Sequence, residues 1–177
     1  MRFLVVYGSA RGGTEGLANM VAQSIRDQGF TAEVRPGDQA GQVAGYDAVI
    51  VGGALYAGRW HKVARHFVRR HAAELRQVPV YFFSSGPLDD SASRTDIPPV
   101  AGVKALMTLV GSHDHVTFGG RLAPDAKGFP ARQMAKKLSG DWRDLRQVGL
   151  WTHDVIAEVA ATAVRADKAE ASGDRRP

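Results

Sequence analysis

Cysteine is absent from all 177 residues, and with it go disulfides, thiolate-held zinc, cysteine-ligated iron–sulfur clusters and any thiol nucleophile. Long apolar runs are missing too, since no stretch approaches the roughly 18 residues that a membrane-spanning helix requires. The run Phe3-Leu4-Val5-Val6-Tyr7 follows a single Arg and stops at Gly8, too brief for a secretory signal. These absences predict a soluble, cytoplasmic protein whose redox chemistry, if it has any, resides on a borrowed cofactor. Acidic side chains are the scarcer charge, 18 against 23 Lys and Arg, for a formal net charge of +5. That balance favours anionic partners. Most of the basic residues are scattered as a solvated surface, and only Arg65, Arg69, Arg70 and Arg76, with His61, His66 and His71 between them, form a dense stretch. It has no interleaved aromatic platform and no recognisable binding motif, so nucleic acid is not an expected partner.

What is present is globular in proportion, 44% hydrophobic and 23% charged, in a length suited to one well-buried domain. Phe3 to Tyr7 is a continuous apolar run closed by Gly8-Ser9, the pattern of a parallel strand covered on both faces. Leu17, Met20, Val21 and Ile25 then recur at helical spacing, so 14–28 predicts an amphipathic helix stopped at Gly29. Further strands are predicted at 32–35, 48–51, 78–83 and 115–118, and further helices follow from three apolar stripes. The first runs through Val63, Phe67, Val68 and Leu75, the second through Val103, Leu106 and Val110, and the last through Val148, Trp151, Val155 and Val159. Five strands alternating with helices predict an α/β fold, a three-layer doubly wound sandwich around a five-stranded parallel sheet. The domain is expected over 1–166, with a disordered polar tail over 167–177.

In such a sheet the ligand crevice lies beyond the carboxyl ends of the strands, which directs attention to the loops that follow them. Gly8-Ser9-Ala10-Arg11-Gly12-Gly13-Thr14 exposes successive backbone N–H groups and leads into a helix whose positive end favours an anion. It has no P-loop lysine and misses the G-x-G-x-x-G spacing, so a phosphate monoester is the better match. Arg11 could bridge the phosphate, lie over a ring edge or face solvent. Gly52-Gly53-Ala54-Leu55-Tyr56-Ala57-Gly58-Arg59-Trp60 combines backbone freedom with two aromatics, and Tyr56 or Trp60 could stack on a flat conjugated ring. Ser84-Ser85-Gly86-Pro87-Leu88-Asp89-Asp90 could offer main-chain groups to the polar edge of that ring, and Gly119-Gly120-Arg121 opens a fourth loop. Together they describe a site for a phosphorylated aromatic cofactor.

On these residues the chain resembles the flavodoxins, whose S-x-T-G-x-T phosphate loop is similar to Ser9-Ala10-Arg11-Gly12-Gly13-Thr14, with Arg11 in place of the middle Thr. The stretch Gly52 to His61 is similar to the flavin loop of the menaquinone-dependent protoporphyrinogen dehydrogenase branch. The resemblance covers roughly Met1 to Val164. It implies strand order 2-1-3-4-5, non-covalent FMN, and transfer chemistry centred on the flavin N5, with no side chain acting as acid, base or nucleophile. By match, Ser9, Ala10, Arg11, Gly12, Gly13 and Thr14 hold the phosphate. Ala54, Leu55, Tyr56, Ala57, Gly58 and Trp60 border the isoalloxazine, with Gly58 facing N5, and Ser84, Ser85, Gly86 and Pro87 contact its other edge. The implied function is FMN-dependent oxidation of a porphyrinogen-like substrate with a quinone acceptor. A flavodoxin-type carrier docking to redox partner proteins, or a flavin-free interaction domain, is the alternative.

The basic charge departs from the acidic balance of small electron-carrier flavodoxins, and Arg121 to Trp142 stands where the dehydrogenase branch has an additional segment. Phe129, Met134 and Leu138 with Lys127, Arg132, Lys136 and Lys137 could form a basic amphipathic helix for a membrane surface or an anionic substrate, or simply a solvated packing helix. His113, Asp114 and His115 lack a third convergent ligand and read as a surface strand entry, not a metal site. Asp89, Asp90 and Asp96 read as solvated loop carboxylates. Asp141 reads as the cap of the last helix, with Trp142 in the core.

Overall fold

The computed structural model describes residues 1–112, 114–126 and 131–173, with backbone only at 131, 134 and 166–173. In chain order the elements are β1 (Arg2–Gly8), α1 (Gly13–Asp27), β2 (Thr31–Pro36), β3 (Ala48–Tyr56), β4 (Arg59–Trp60), α2 (Lys62–Arg70), α3 (Ala72–Leu75), β5 (Val80–Ser85), α4 (Ser91–Arg94), α5 (Ala101–Val110), β6 (Asp114–Phe118), β7 (Arg121–Leu122), α6 (Ala131–Leu138), β8 (Gly140–Asp141) and α7 (Leu145–Gly173). The five long strands are parallel and lie in the order β2-β1-β3-β5-β6, which among themselves is the predicted 2-1-3-4-5. Two short additions go beyond the expectation. β4 turns back antiparallel on the end of β3, and β7 pairs with β8 as a separate two-stranded ribbon.

Period-two alternation sends Phe3 and Val5 of β1 to one face of the sheet and Leu4 and Val6 to the other, and all four are buried. The first face packs on α1 and α7 through Leu17, Val21, Ile25, Val155 and Val159. The second packs on α2 and α5 through Phe67, Val68, Val103 and Leu106. Burial on both sides is why these strands read as continuous apolar runs.

Several boundaries moved for physical reasons. β3 continues through Gly52 to Tyr56, where a loop was expected, because Gly53 and Ala54 still pair with Ser84 and Ser85 of β5. β5 starts at Val80, since Pro79 has no N–H to give, although its carbonyl still accepts from the Val49 amide at 3.0 Å. The cap of α7 is Asp144, whose Oδ1 accepts from the amides of Arg146 and Gln147 at 2.8 and 3.3 Å. Asp141, the predicted cap, instead sits in β8 and holds Arg143, and Trp142 is only half-buried. α7 runs on to Gly173, beyond the predicted domain end at 166; residues 174–177 lie outside the described ones, as does His113.

Two glycines of β3 have no room for a side chain. A Cβ on Gly52 would fall within the ring of Phe83, and one on Gly53 would lie 2.5 Å from Trp60 Cδ2. Phe83 is fully buried and cannot swing aside. Gly52→Ala is therefore expected to destabilise the protein by ~1–3 kcal/mol through overpacking, seen as a lower denaturant midpoint at unchanged m-value.

Candidate functional site

A cavity of about 850 Å³ opens beyond the carboxyl ends of the strands, where a doubly wound sheet places its ligand and at a size suited to a small-molecule ligand. Its first wall is the β1–α1 loop, with Ser9, Ala10, Arg11, Gly13 and Thr14 on the surface of the cavity. Gly12 stands behind that wall as the left-handed cap of α1, with φ 75°, a conformation glycine adopts without strain. The first turn of α1 leaves backbone N–H groups without helical partners, and the Thr14 hydroxyl beside them is buried with no hydrogen-bond partner. A polar atom left this way calls for an acceptor or donor from a ligand. Arg11, for which a phosphate, a ring edge and solvent were the open placements, has its guanidinium over Tyr56 at 5.4 Å from the centroid.

The second wall is the β3–β4 hairpin, which contributes Ala54, Leu55, Tyr56 and Ala57. Its turn has Ala57 at φ 48° and Gly58 at φ 72°, consecutive left-handed residues as in a type I′ turn. Tyr56 meets His61 edge to face, with centroids 6.2 Å apart. Trp60 does not border the cavity. It is buried, packs on Phe82 with centroids 5.3 Å apart, and donates its Nε1 proton to Ser84 Oγ at 2.8 Å. Pairing opposite Leu55 turns its ring down onto Gly53 and the core.

The third wall comes from the β5 exit, where Ser85 and Gly86 reach the cavity and Ser84 does not, being fully buried under Trp60. Pro87 and Gly58 are also off the wall; the Pro87 carbonyl accepts from the Gly120 amide at 2.8 Å. Further positions, outside the expected phosphate and ring contacts, complete the enclosure. His61 caps α2 and joins the hairpin wall; its place directly after the aromatic loop was the available signal. Leu88, Leu122 and Leu138 form an apolar far wall, backed by Ala135. Among the described side chains of the expected amphipathic helix, Leu138 reaches the site, while Arg132, Lys136 and Lys137 are exposed. Lys127, Phe129 and the Met134 side chain lie outside the described residues. Asp89 is on the cavity wall, where it accepts from the Ser91 amide at 2.9 Å, and Asp90 pairs with Arg94.

Below the cavity runs a polar chain that the sequence did not disclose. Ser84 Oγ accepts from Trp60 and stands 2.8 Å from His115 Nε2, so its own proton is free to donate to the imidazole. His115, expected on the surface, is largely enclosed, and burial pushes it down to about 4 from its ordinary 6.5. Its Nδ1 is buried without a partner. His61 is likewise lowered, first by burial and then by Lys62, so both imidazoles near the site favour the neutral form. No group of three or more His, Asp or Glu able to hold a metal occurs among the described residues.

A histidine whose folded pKa lies below its unfolded value binds its proton more readily when unfolded, so its contribution to stability falls as pH drops through that window. Wild type is expected to lose stability between pH 6.5 and about 4 more steeply than His115→Gln. Denaturant titrations of both proteins across that range check this; identical pH slopes would remove the buried neutral imidazole.

Comparison with known proteins follows the geometry. A family model described as "Flavodoxin domain" matches residues 4–142. Protoporphyrinogen IX dehydrogenase [quinone] of Escherichia coli (strain K12) is 28% identical over 86 residues, 48% of each chain, so the chain spans about half the length of the curated relatives it matches. Among solved structures, a flavodoxin of Streptococcus pneumoniae TIGR4 superposes with a TM-score of 0.58 at 16% identity, covering 89% of this chain and 99% of that one. A flavodoxin from the domain Archaea gives 0.54 at 17% identity, covering 86% and 99%. The chain belongs to the flavodoxin domain family, and its cofactor is FMN.

Proposed function

We propose that this chain is an FMN-dependent oxidoreductase that oxidises a reduced, porphyrinogen-like organic substrate and passes the electrons to a quinone. The observation that carries the reading is the make-up of the cavity, which joins a phosphate nest to a broad apolar wall in one enclosure. The similarity to protoporphyrinogen IX dehydrogenase supports the choice of substrate class. Bound FMN supplies the reversible two-electron chemistry that this cysteine-free chain lacks.

The chain's own residues bind and enclose. The N–H groups of the loop from Ser9 to Gly13, with the Thr14 hydroxyl, hold the phosphate at the positive end of α1. Leu55, Tyr56 and Ala57 border one side of the ring, and Ser85 and Gly86 the other. Leu88, Leu122 and Leu138 keep water from the reacting edge and offer an apolar surface to a ring substrate or quinone. His61, whose burial favours the neutral imidazole, adds no fixed charge to the hairpin wall. A carrier that only docks to proteins has little use for the leucine wall, and an excess of basic charge sets this chain apart from an acidic carrier.

Purified protein is expected to carry flavin absorbance, to quench added FMN fluorescence, and to oxidise protoporphyrinogen IX catalytically with a soluble quinone. Flavin binding without turnover would reassign it to electron carriage. Thr14→Val tests the phosphate nest directly. Removing an unpartnered buried hydroxyl leaves apoprotein stability unchanged or raised, while FMN affinity falls about tenfold or more, the effect of losing a hydrogen bond to a charged group. Equal affinity in the variant would take Thr14 out of the nest.

A further inference from the structure

α2 is divided lengthwise. Ala64, Phe67 and Val68 are buried against the sheet. Lys62, Arg65, His66 and Arg69 recur at i, i+3, i+4 and i+7 and share another stripe. That stripe lines a second cavity, of about 390 Å³, closed on its other side by Gly37 and Asp38 at the exit of β2. The cleft is tightly built. The Gly37 amide donates to the Tyr7 carbonyl at 2.9 Å, and a Cβ on Gly37 would come within 3.1 Å of Val63 Cγ1 and 3.3 Å of Phe67 Cβ.

The charge on this stripe is uncompensated. Among the described residues, Lys62, Arg65, His66 and Arg69 make no ion pair, and Arg65 Nε is buried with no hydrogen-bond partner. Like charges one helical turn apart repel each other, and an unpaired buried donor is costly. Asp38 is the sole acid on the wall. An anion would relieve both penalties. The recess is an open cleft of about 390 Å³, with room for a carboxylate arm of a small molecule.

The position links the cleft to the flavin site. His61 lines the larger cavity and Lys62, the next residue, lines the smaller, so the two concavities meet at the start of α2. The Tyr7 carbonyl that anchors Gly37 belongs to the strand that runs directly into the phosphate loop.

We propose that this cleft is a carboxylate subsite, in which Lys62, Arg65 and Arg69 hold the acid arms of the substrate whose ring is oxidised in the adjoining cavity. The inference rests on the proposed function and deepens it, because protoporphyrinogen IX bears propionate arms on an otherwise apolar ring. The guanidinium groups are suited to it by their paired N–H donors, which match a carboxylate. They act by positioning the substrate, not in the electron transfer itself.

The test is a pair of substrates against three variants. Arg65→Gln, Arg69→Gln and the double variant are assayed as holoproteins with protoporphyrinogen IX and with its neutral dimethyl ester. The double variant is expected to raise KM for the acid about tenfold or more, the loss expected for a charge-assisted hydrogen bond, with kcat and FMN affinity held and the ester's KM unmoved. An unchanged KM for the acid, or equal losses for acid and ester, overturns the subsite. Arg69 is exposed, so its single variant answers the question if Arg65→Gln fails to fold. Should wild type turn over neither substrate, the proposed function fails, and binding decides the subsite separately. Titrating protoporphyrin IX fluorescence with each holoprotein supports it if the double variant binds the acid about tenfold more weakly and overturns it if wild type and variant bind alike. Sedimentation with phosphatidylglycerol vesicles completes the set: vesicle binding lost in the variant, with porphyrin affinity intact, overturns the small-molecule occupant in favour of a lipid surface.

Discussion

Phe83 lies across Gly52 and Trp60 across Gly53, and this contact of rings on bare backbone sets the floor of the whole site. The register of β1 and β3 puts Gly8 beside Gly53 and Tyr7 beside Gly52, so side chains disappear from two neighbouring strands just as they leave the core. Into that space come Phe83 from the face packed on α1 and α7, Trp60 from the face packed on α2 and α5 and, at Gly8, the backbone of α2, whose Ala64 amide would lie 2.7 Å from a Cβ there. The helix can begin this close to the sheet only because Gly8 has no side chain. Its starting point then sets where His61 and Lys62 stand, one in each cavity.

Polarity around the site is graded as a result. The floor is neutral: Trp60, Ser84 and His115 share hydrogen bonds beneath it, and burial disfavours a proton on the imidazole. The far wall is apolar. On the cavity wall positive charge comes from Arg11, which rests on Tyr56, and from Arg121, which faces Asp141, while α2 carries its basic stripe along the second cavity.

The fold was legible because a sheet buried on both faces writes itself as apolar runs, and because glycine and hydroxyl residues mark where those runs end. The β1–α1 loop stood out for the same reason, and the structure places Ser9, Ala10 and Arg11 on the cavity wall. Trp60 shows where such reading stops. An aromatic in a glycine-rich loop can face a ligand or the core, and what decides is the antiparallel return of β4, which pairs Trp60 with Leu55 and turns the ring inward. Ser84 is drawn in with it as an acceptor. The far wall was illegible because Leu88, Leu122 and Leu138 come from three separate segments that only the tertiary fold assembles. His115 was misjudged because a strand entry says nothing of what packs over it, and Asp141 because Asp144, three residues on, was free to accept the first amides of α7.

The Trp142 amide donates to the Gly120 carbonyl at 3.0 Å, so the chain leaves the edge of the sheet after Gly120 and comes back to the same spot before α7 begins. The chain thus begins a detour at Arg121 whose described ends, β7 and β8, are already joined. Leu122 packs with Ala135, Leu88 and Ala126 in a cluster separate from the two cores that hold the sheet. Changes to this excursion would re-line one wall of the cavity, and because a Cβ on Gly13 would lie 3.2 Å from the Arg121 carbonyl they would also be felt at the β1–α1 loop against which it rests.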